Sequence, residues 1–333
     1  MEVAVAADVC TVAVKHARDN IKTFIQTFIE TTMIARIGSV FMLTMGLLLT
    51  SVTAQAQRIQ QVFKTPQAAM EEFGYAVKNK DDLLFKLMLG DDYKSFIPAP
   101  TKEDYQRFIA AWDKTHKIVM DNPQLAHIGV GEKGWTLPIP LVKQGTDWRF
   151  DLDLAAQEMK QRTIGANEIA VIRAMLAYGD AQMEYAEKDR MGDGVLQYAQ
   201  RLQSTPGTKD GLYWPTNADE PRSPIGEFFA QSKSVDGIDE RGFYGYLFKV
   251  LTSQGRAAPG GVLDYIVNGR MIGGYALLAW PVSYGETGVM TFMVNHAGQV
   301  YQKNLGPTTE RLAKQISTFN PDATWQKVSK DDL

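Results

Sequence analysis

The segment from Asp189 to Gly194 carries the residues best suited to hold a metal ion. Its sequence, Asp-Arg-Met-Gly-Asp-Gly, places carboxylates at the first and fifth positions and glycine at the sixth, as in a calcium-binding loop. Met191 stands where another carboxylate ligand is expected, and Gln200 stands where a bidentate glutamate is expected. A plain turn would use the same aspartates and glycines. The sequence therefore leaves calcium binding at Asp189 and Asp193 as a hypothesis beside a purely structural loop.

A second group of residues has the chemistry of a surface that binds a glycan or a peptide. Aromatic rings pack against the apolar faces of sugars, and charged groups beside them bind polar ligand atoms. The alternative is structural: Tyr213 and Trp214 fill the seam between a helix and a sheet, while Arg270 pairs with an acid beside a hairpin. The candidate binding residues are Asp210, Tyr213, Trp214, Arg222 and Arg270.

No catalytic signature accompanies these residues. Ser204 lacks the Gly-x-Ser-x-Gly setting of a hydrolase nucleophile. His116 and His127 lack the spacing of metal ligands, which favours a structural role for both. Paired carboxylates for glycoside hydrolysis stay open, because their spacing is set in three dimensions. The sequence therefore favours a non-enzymatic protein, with a hydrolase that uses carboxylates as the alternative.

The charge balance argues against a nucleic-acid partner. The 333 residues include 35 Lys and Arg against 38 Asp and Glu, which gives a net charge of −3, and no basic cluster stands out. No cofactor motif is evident besides the calcium-like loop, so we expect no cofactor.

Residues 33–56 have the pattern of a bacterial signal peptide. A positive charge precedes an apolar segment, and Ala54 and Ala56 provide the small residues that signal peptidase requires. We therefore predict translation from Met33 and cleavage after Ala56, so that residues 1–56 are leader and the mature chain is periplasmic or secreted. A retained membrane anchor is the alternative, but the apolar segment is short for a membrane span. The single cysteine, Cys10, precedes this signal, so the mature chain has no thiol.

Residues 57–164 are predicted to form a small α+β domain. Thr65 and Pro66 are typical of a helix start, and Thr101 begins another helix whose apolar stripe extends to Val119. A curled antiparallel sheet then follows, and this order resembles the cone-shaped domains of the nuclear-transport-factor-2-like fold. The further predicted elements are a helix over 82–89 and strands over 125–130, 135–142 and 147–151.

Residues 165–333 are predicted to form a second α+β domain. Gly165 is expected to end one helical run and Asn167 to cap the next, which continues to about Lys188. Asn268-Gly269 is a strong signal for a type I′ turn. A long helix followed by an antiparallel meander resembles the globular part of type IV pilins. The predicted strands cover 243–251, 263–267, 271–280, 289–294 and 299–303, and a final helix covers 307–319.

Six long motifs of the chain cover residues 200–207, 210–215, 258–261, 265–274, 279–281 and 288–292. Together they resemble the bacterial exported family called domain of unknown function 2950. The resemblance extends over nearly all of the mature chain. It implies an exported protein of two parts, often beside other envelope proteins, and it transfers no catalytic residue. An envelope protein or a polysaccharide is therefore the expected kind of partner, with no nucleic acid and no membrane span in the mature chain.

Overall fold

The protein has an α+β fold of helices and antiparallel sheets in a computed structural model. The chain divides into two compact units, Met1–Met159 and Lys160–Leu333. No helix in the described part of the chain is long and apolar enough to cross a membrane. The predicted signal peptide, its cleavage site and Cys10 lie outside the described residues. The structure describes residues 60–97, 99–217, 219–230 and 242–329.

Two helices of the first unit begin at the capping residues that the sequence indicates, Thr65 and Thr101. The Thr65 hydroxyl accepts a hydrogen bond from the amide of Ala68, and Pro66 opens the first helix. The Thr101 hydroxyl accepts a bond from the amide of Asp104 in the same way. The helices are α1 (Pro66–Asn79), α2 (Asp82–Leu89), α3 (Tyr93–Phe96) and α4 (Lys102–Lys114).

The expectation that the α4 stripe continues to Val119 is wrong. The helix ends at Lys114, and Thr115 adopts an extended conformation with φ −165° and ψ 142°. Strand β1 then begins at His116 and pairs with its neighbour through Ile118 and Val119. Because β-branched side chains lose less freedom in strands than in helices, the sheet offers these residues the better environment.

The first unit contains a four-stranded antiparallel sheet in the order β1-β2-β3-β4. Only residues 141–142 of the predicted strand over 135–142 belong to β3, because Pro138 and Pro140 have no amide proton to donate to a ladder. Trp112, Ile128 and Phe150 lie in the hydrophobic core between the sheet and the helices. The likeness to a cone-shaped fold stays a prediction. The strands are β1 (His116–Asn122), β2 (Leu125–Val130), β3 (Leu141–Gln144) and β4 (Asp147–Phe150).

One continuous helix, α5 (Leu152–Ala186), contains both Gly165 and Asn167. The predicted helix break at Gly165 is therefore wrong, and the boundary between the compact units falls between residues 159 and 160, inside this helix. A glycine costs only about 1 kcal/mol in a helix, which the hydrogen bonds on either side outweigh. Asn167 is not a cap; its side-chain amide donates to the carbonyl of Thr287 at 2.9 Å.

The second unit is built on a five-stranded antiparallel sheet in the order β16-β14-β13-β12-β7. Met175, Tyr178 and Tyr185 of α5 share one buried cluster with Trp280 and Phe292 of the sheet. This contact covers the sheet with the long helix, while the likeness to pilins stays a prediction. The sheet strands are β7 (Tyr246–Leu251), β12 (Ala276–Pro281), β13 (Met290–Asn295), β14 (Tyr301–Asn304) and β16 (Gln326–Lys327).

Short elements complete the second unit. Asn268 and Gly269 have φ angles of 51° and 79°, as a type I′ turn requires, so the predicted turn is confirmed. The predicted final helix is shorter than expected, because Phe319 is part of a strand that pairs in parallel with β8. These elements are β5 (Arg201–Gln203), β6 (Gly211–Tyr213), α6 (Glu227–Ala230), β8 (Ser253–Gln254), β9 (Leu263–Asp264), β10 (Ile266–Val267), β11 (Arg270–Met271), α7 (Thr309–Gln315) and β15 (Thr318–Phe319).

Candidate functional site

The carboxylate of Asp189 is bonded to the backbone of its own loop. One oxygen accepts the amides of Met191, Gly192 and Asp193 at 3.2, 2.7 and 3.3 Å. The other accepts the amide of Gly194 at 2.8 Å. These bonds hold the pKa of Asp189 below its usual value, the bond from Gly194 contributing most. A cation at Asp189 would have to compete with four amide donors.

Asp193 and Arg270 form an ion pair across the neighbouring hairpin. The Arg270 Nε donates to an Asp193 carboxylate oxygen at 2.8 Å, and the other oxygen accepts the amide of Val195. Within the described residues, no three His, Cys, Asp or Glu side chains are grouped so that they could hold a metal ion. The hypothesis of calcium binding at Asp189 and Asp193 stays a prediction, and it requires rearrangement of both sets of bonds.

Trp214 is buried, with 6% of its surface exposed, and belongs to the core of the second unit. Its ring lies edge-on to Tyr185, while the Arg190 guanidinium and the Lys209 ammonium group each lie 5.4 Å from its centre. Tyr213 is half-buried and packs against the same core. Both rings therefore contact the core of the second unit, and ligand binding at Tyr213 and Trp214 stays a prediction.

The other candidate binding residues are distributed around this loop region. The Asp210 carboxylate accepts the amide and hydroxyl of Thr205 and the hydroxyl of Thr208. Burial is the largest single effect and raises the pKa of Asp210, but the bonds from Thr205 and Thr208 together with the Arg201 charge lower the pKa below its usual value. Arg222 is exposed, and no hydrogen bond or ion pair in the described part of the chain joins it to the other four candidates. The structure thus brings Arg270 to Asp193, not to the aromatic pair.

Tyr185 connects these loops, although the sequence did not single it out. Its hydroxyl donates to the carbonyl of Lys209. Burial raises the pKa of Tyr185 to about 12, and the nearby Asp210 carboxylate adds to the effect. The hydroxyl therefore stays protonated at neutral pH and acts as a fixed donor.

Unit one contains a cluster of two acids and a histidine that sequence reasoning missed. The His127 Nδ1 lies 2.6 Å from an Asp121 oxygen, and Nε2 lies 2.8 Å from a Glu158 oxygen. The His127 side chain is 12% exposed. A neutral imidazole has one N–H, so both nitrogens donate to carboxylates only in the imidazolium form. Alternation along a hairpin could have suggested Asp121 beside His127, but Glu158 comes from α5, far along the chain.

The imidazole of His127 occupies the space between the two carboxylates. Each carboxylate bonds a different ring nitrogen, so Asp121 and Glu158 lie on opposite sides of the ring. A pair of hydrolytic carboxylates needs a sugar and a water between them. In the observed arrangement that space is filled, and each ring nitrogen contacts a carboxylate oxygen.

Strand β1 lies at one edge of the four-stranded sheet, and no other strand of the described residues pairs with its outer side. The amide of Val130 and the carbonyl of Ile128 bond to Trp135 and Leu137, away from β1. In an antiparallel pair, successive residues point their backbone groups to alternate sides. The amides and carbonyls of Gly129 and His127 therefore bond to their partners on β1, Lys117 and Val119. The β1 residues next to Lys117 and Val119 point their amides and carbonyls outward, away from β2.

The outward backbone groups of β1 include those of Ile118 and Met120. Their cross-strand partners are Ile128 and Ala126, so Lys117 and Val119 between them make the bonds to β2. We call the side of β1 with the Ile118 and Met120 amides and carbonyls the open edge. Most side chains of β1 are exposed, Met120 by 49%. An exposed edge with free backbone groups is a template for another extended strand.

Two surface concavities lie away from all of these features. One lies along α4 and is lined by Glu103, Gln106, Arg107 and Ala110. The other lies beside β15 and is lined by Met293, residues 315–318, Asn320 and Trp325. Neither contains the acid and histidine cluster or a residue predicted to bind a ligand.

Comparison with known protein families assigns the chain. The model of the family described as "Protein of unknown function (DUF2950)" matches residues 60–328. The chain belongs to this family. The membership confirms the resemblance seen in the sequence motifs, and the DUF2950 match spans both compact units. No curated protein and no solved structure gives a significant match.

Proposed function

We propose that this DUF2950 chain is an exported, non-enzymatic assembly protein of the cell envelope that binds a protein partner by strand addition. Export is inferred from the signal-peptide pattern of residues 33–56. The observation that supports binding is the open edge of β1. Main-chain hydrogen bonds at such an edge provide affinity for an extended segment, and the side chains on either face provide specificity.

The sequence of β1 is suited to this role. Edge strands that avoid partners are very short, charged, bulged, or covered by a loop or helix. In β1 the irregularity lies at Asp121 and the lysine at Lys117, on either side of residues 118–120. Strand β1 has seven residues, and Ile118, Val119 and Met120 form an apolar centre between charged and polar ends. The protein partner is therefore preferred over a polysaccharide, because a sugar cannot continue a main-chain ladder.

A cross-linking experiment in the producing bacterium tests this proposal. A photoreactive amino acid replaces Lys117, which is exposed on β1, and a matched control carries it at Lys143, which is exposed on β3. Illumination should give a discrete cross-linked product from position 117 only. The substitution Met120→Pro should abolish that product, because proline removes the outward amide while leaving the bonds from β1 to β2 in place. A product that persists in Met120→Pro, or none at all, would contradict binding by strand addition.

The alternative, an envelope hydrolase that uses carboxylates, draws its support from Asp121, His127 and Glu158. It requires the imidazole to leave the space between the carboxylates when a substrate binds. Purified chain can be assayed with nitrophenyl esters and glycosides. Hydrolysis that disappears in Glu158→Gln, but persists when exposed Glu103 is changed to Gln, would favour this alternative over the assembly role.

A further inference from the structure

We propose that the strand added to the open edge of β1 is the same strand of a second copy of this chain. This inference rests on the proposed function and names its partner. Two β1 strands would pair antiparallel about a two-fold axis at Val119, joining two four-stranded sheets into one. The observations behind it are the direction of the backbone groups and the order of the side chains in β1.

The backbone of β1 fits this pairing. With Val119 opposite its own copy, Ile118 of one chain lies opposite Met120 of the other. Ile118 and Met120 are the residues whose amides and carbonyls point outward, so each opposed pair exchanges two hydrogen bonds. A two-fold axis at Ile118 would instead place Ile118 opposite its own copy, and an axis at Met120 would do the same for Met120. Either axis would produce different side-chain pairs.

The side chains of β1 are self-complementary about the same axis. Lys117 of one chain lies opposite Asp121 of the other, and Ile118 opposite Met120. Opposite charges and apolar pairs that face each other across strands stabilise a sheet, while like charges destabilise it. When the sequence His-Lys-Ile-Val-Met-Asp-Asn is aligned with a reversed copy of itself, Lys117 and Asp121 of each chain lie opposite a residue of the other charge.

The outer face of the sheet keeps both charges available for this contact. A Cβ on Gly129 would lie 3.1 Å from the Val119 side chain and 3.6 Å from Lys117, so these two side chains share the face of His127. Asp121 also reaches this face, where it contacts His127. The ladder is irregular between Met120 and Asn122, so Asp121 has no cross-strand backbone partner on β2, although its carboxylate contacts His127 of that strand. Lys117 of a second copy would therefore approach a carboxylate that is 42% exposed.

A charge-exchange experiment tests the second copy directly. The mature chain, purified after export, is examined by analytical ultracentrifugation as wild type, Lys117→Glu and Asp121→Lys. We expect a concentration-dependent dimer for the wild type. Each variant places like charges opposite each other twice across the two-fold axis, so its dissociation constant should rise about tenfold or more. An equimolar mixture of the two variants should restore dimerisation, since both charge pairs are then opposite in sign.

Controls separate loss of pairing from loss of folding. Lys143→Glu reverses a charge on β3 and should dimerise like the wild type. Met120→Pro should be monomeric although both charges are kept, which keeps the inference testable if Asp121→Lys does not fold. Circular dichroism establishes which variants are folded. A wild type that stays monomeric at about 100 μM, a dimer that survives Met120→Pro, or a folded variant mixture that stays monomeric would overturn the inference.

A cross-link from a photoreactive residue placed at exposed Asn122 of β1, which keeps both Lys117 and Asp121, separates this inference from the proposed function. A product with twice the mass of the chain, absent in Met120→Pro, supports both. A strand-dependent product with a different protein, together with a monomeric purified chain, overturns the second copy but keeps the assembly role. No strand-dependent product overturns the assembly role itself.

Discussion

The buried side chain of Gln182 pairs with the main chain of Ala199 at two points. Its carbonyl oxygen accepts the Ala199 amide at 2.8 Å, and its amide donates to the Ala199 carbonyl at 2.9 Å. The side-chain amide also donates to the hydroxyl of Tyr178. Gln182 thereby supplies the hydrogen bonds of a neighbouring strand from a helix, and it fixes the segment before β5 against α5.

Removal of this pairing should destabilise the second unit. Gln182→Leu leaves an amide and a carbonyl of Ala199 buried without partners, at about 1–3 kcal/mol each. We expect the free energy of unfolding to fall by about 2–4 kcal/mol in urea titrations followed by circular dichroism. Met183→Leu, at an adjacent exposed position, should change it by less than about 0.5 kcal/mol. Equal stability of both variants would contradict the role of Gln182.

Two helical glycines should respond in opposite ways to alanine. Nothing lies within 4 Å of a Cβ built on Gly165, so Gly165→Ala should stabilise the chain by about 0.5–1 kcal/mol through helix propensity. A Cβ on Gly74 would lie 2.4 Å from the Trp112 ring, so Gly74→Ala should destabilise it by about 1–3 kcal/mol. Urea titration of the two variants measures the sign of each change in the free energy of unfolding. Stabilisation by Gly74→Ala would mean that α1 and Trp112 are less tightly packed.

The Asp189 loop should not need calcium. Because its carboxylate already accepts four backbone amides, we expect millimolar calcium or its removal with EDTA to leave the melting temperature unchanged. Asp189→Ala should speed hydrogen exchange at Gly192 and Gly194 with or without calcium. Heat released on titration of calcium into the wild type, and absent in Asp189→Ala, would instead support the metal hypothesis.

His296 should make the second unit less stable in mild acid. Burial lowers the pKa of its imidazole below the usual value of about 6.5, and the ring lies edge-on to Tyr265 and Tyr275. Above that pH the ring is neutral in both states. As pH falls below it, the unfolded chain binds a proton first, so the free energy of unfolding decreases until the folded ring is also protonated.

The measurement compares wild type with His296→Gln between pH 7.5 and 5. The difference in unfolding free energy between the two proteins should change in this interval, with the wild type losing more stability as pH falls. A constant difference would contradict a lowered pKa. The variant also removes the contacts of the ring. The loss of those contacts changes the difference in unfolding free energy by the same amount at every pH, so it does not produce a change of that difference with pH.

The sequence by itself determined the features that depend on neighbours along the chain. Thr65 with Pro66, and Thr101, set helix starts because a cap needs only local atoms. Asn268 with Gly269 set a turn because these residues tolerate positive φ. The long family motifs likewise identified DUF2950 without a structure.

Only the tertiary structure decided the features that depend on distant partners. Gly165 did not end its helix, since a local cost of about 1 kcal/mol was outweighed by the hydrogen bonds around it. Trp214 proved to be part of the core, because burial depends on the whole unit. Glu158 reached His127 from α5, and β1 became an edge because of the strand order. Spatial neighbours far apart in sequence leave no periodic signal, so residue spacing could not reveal them.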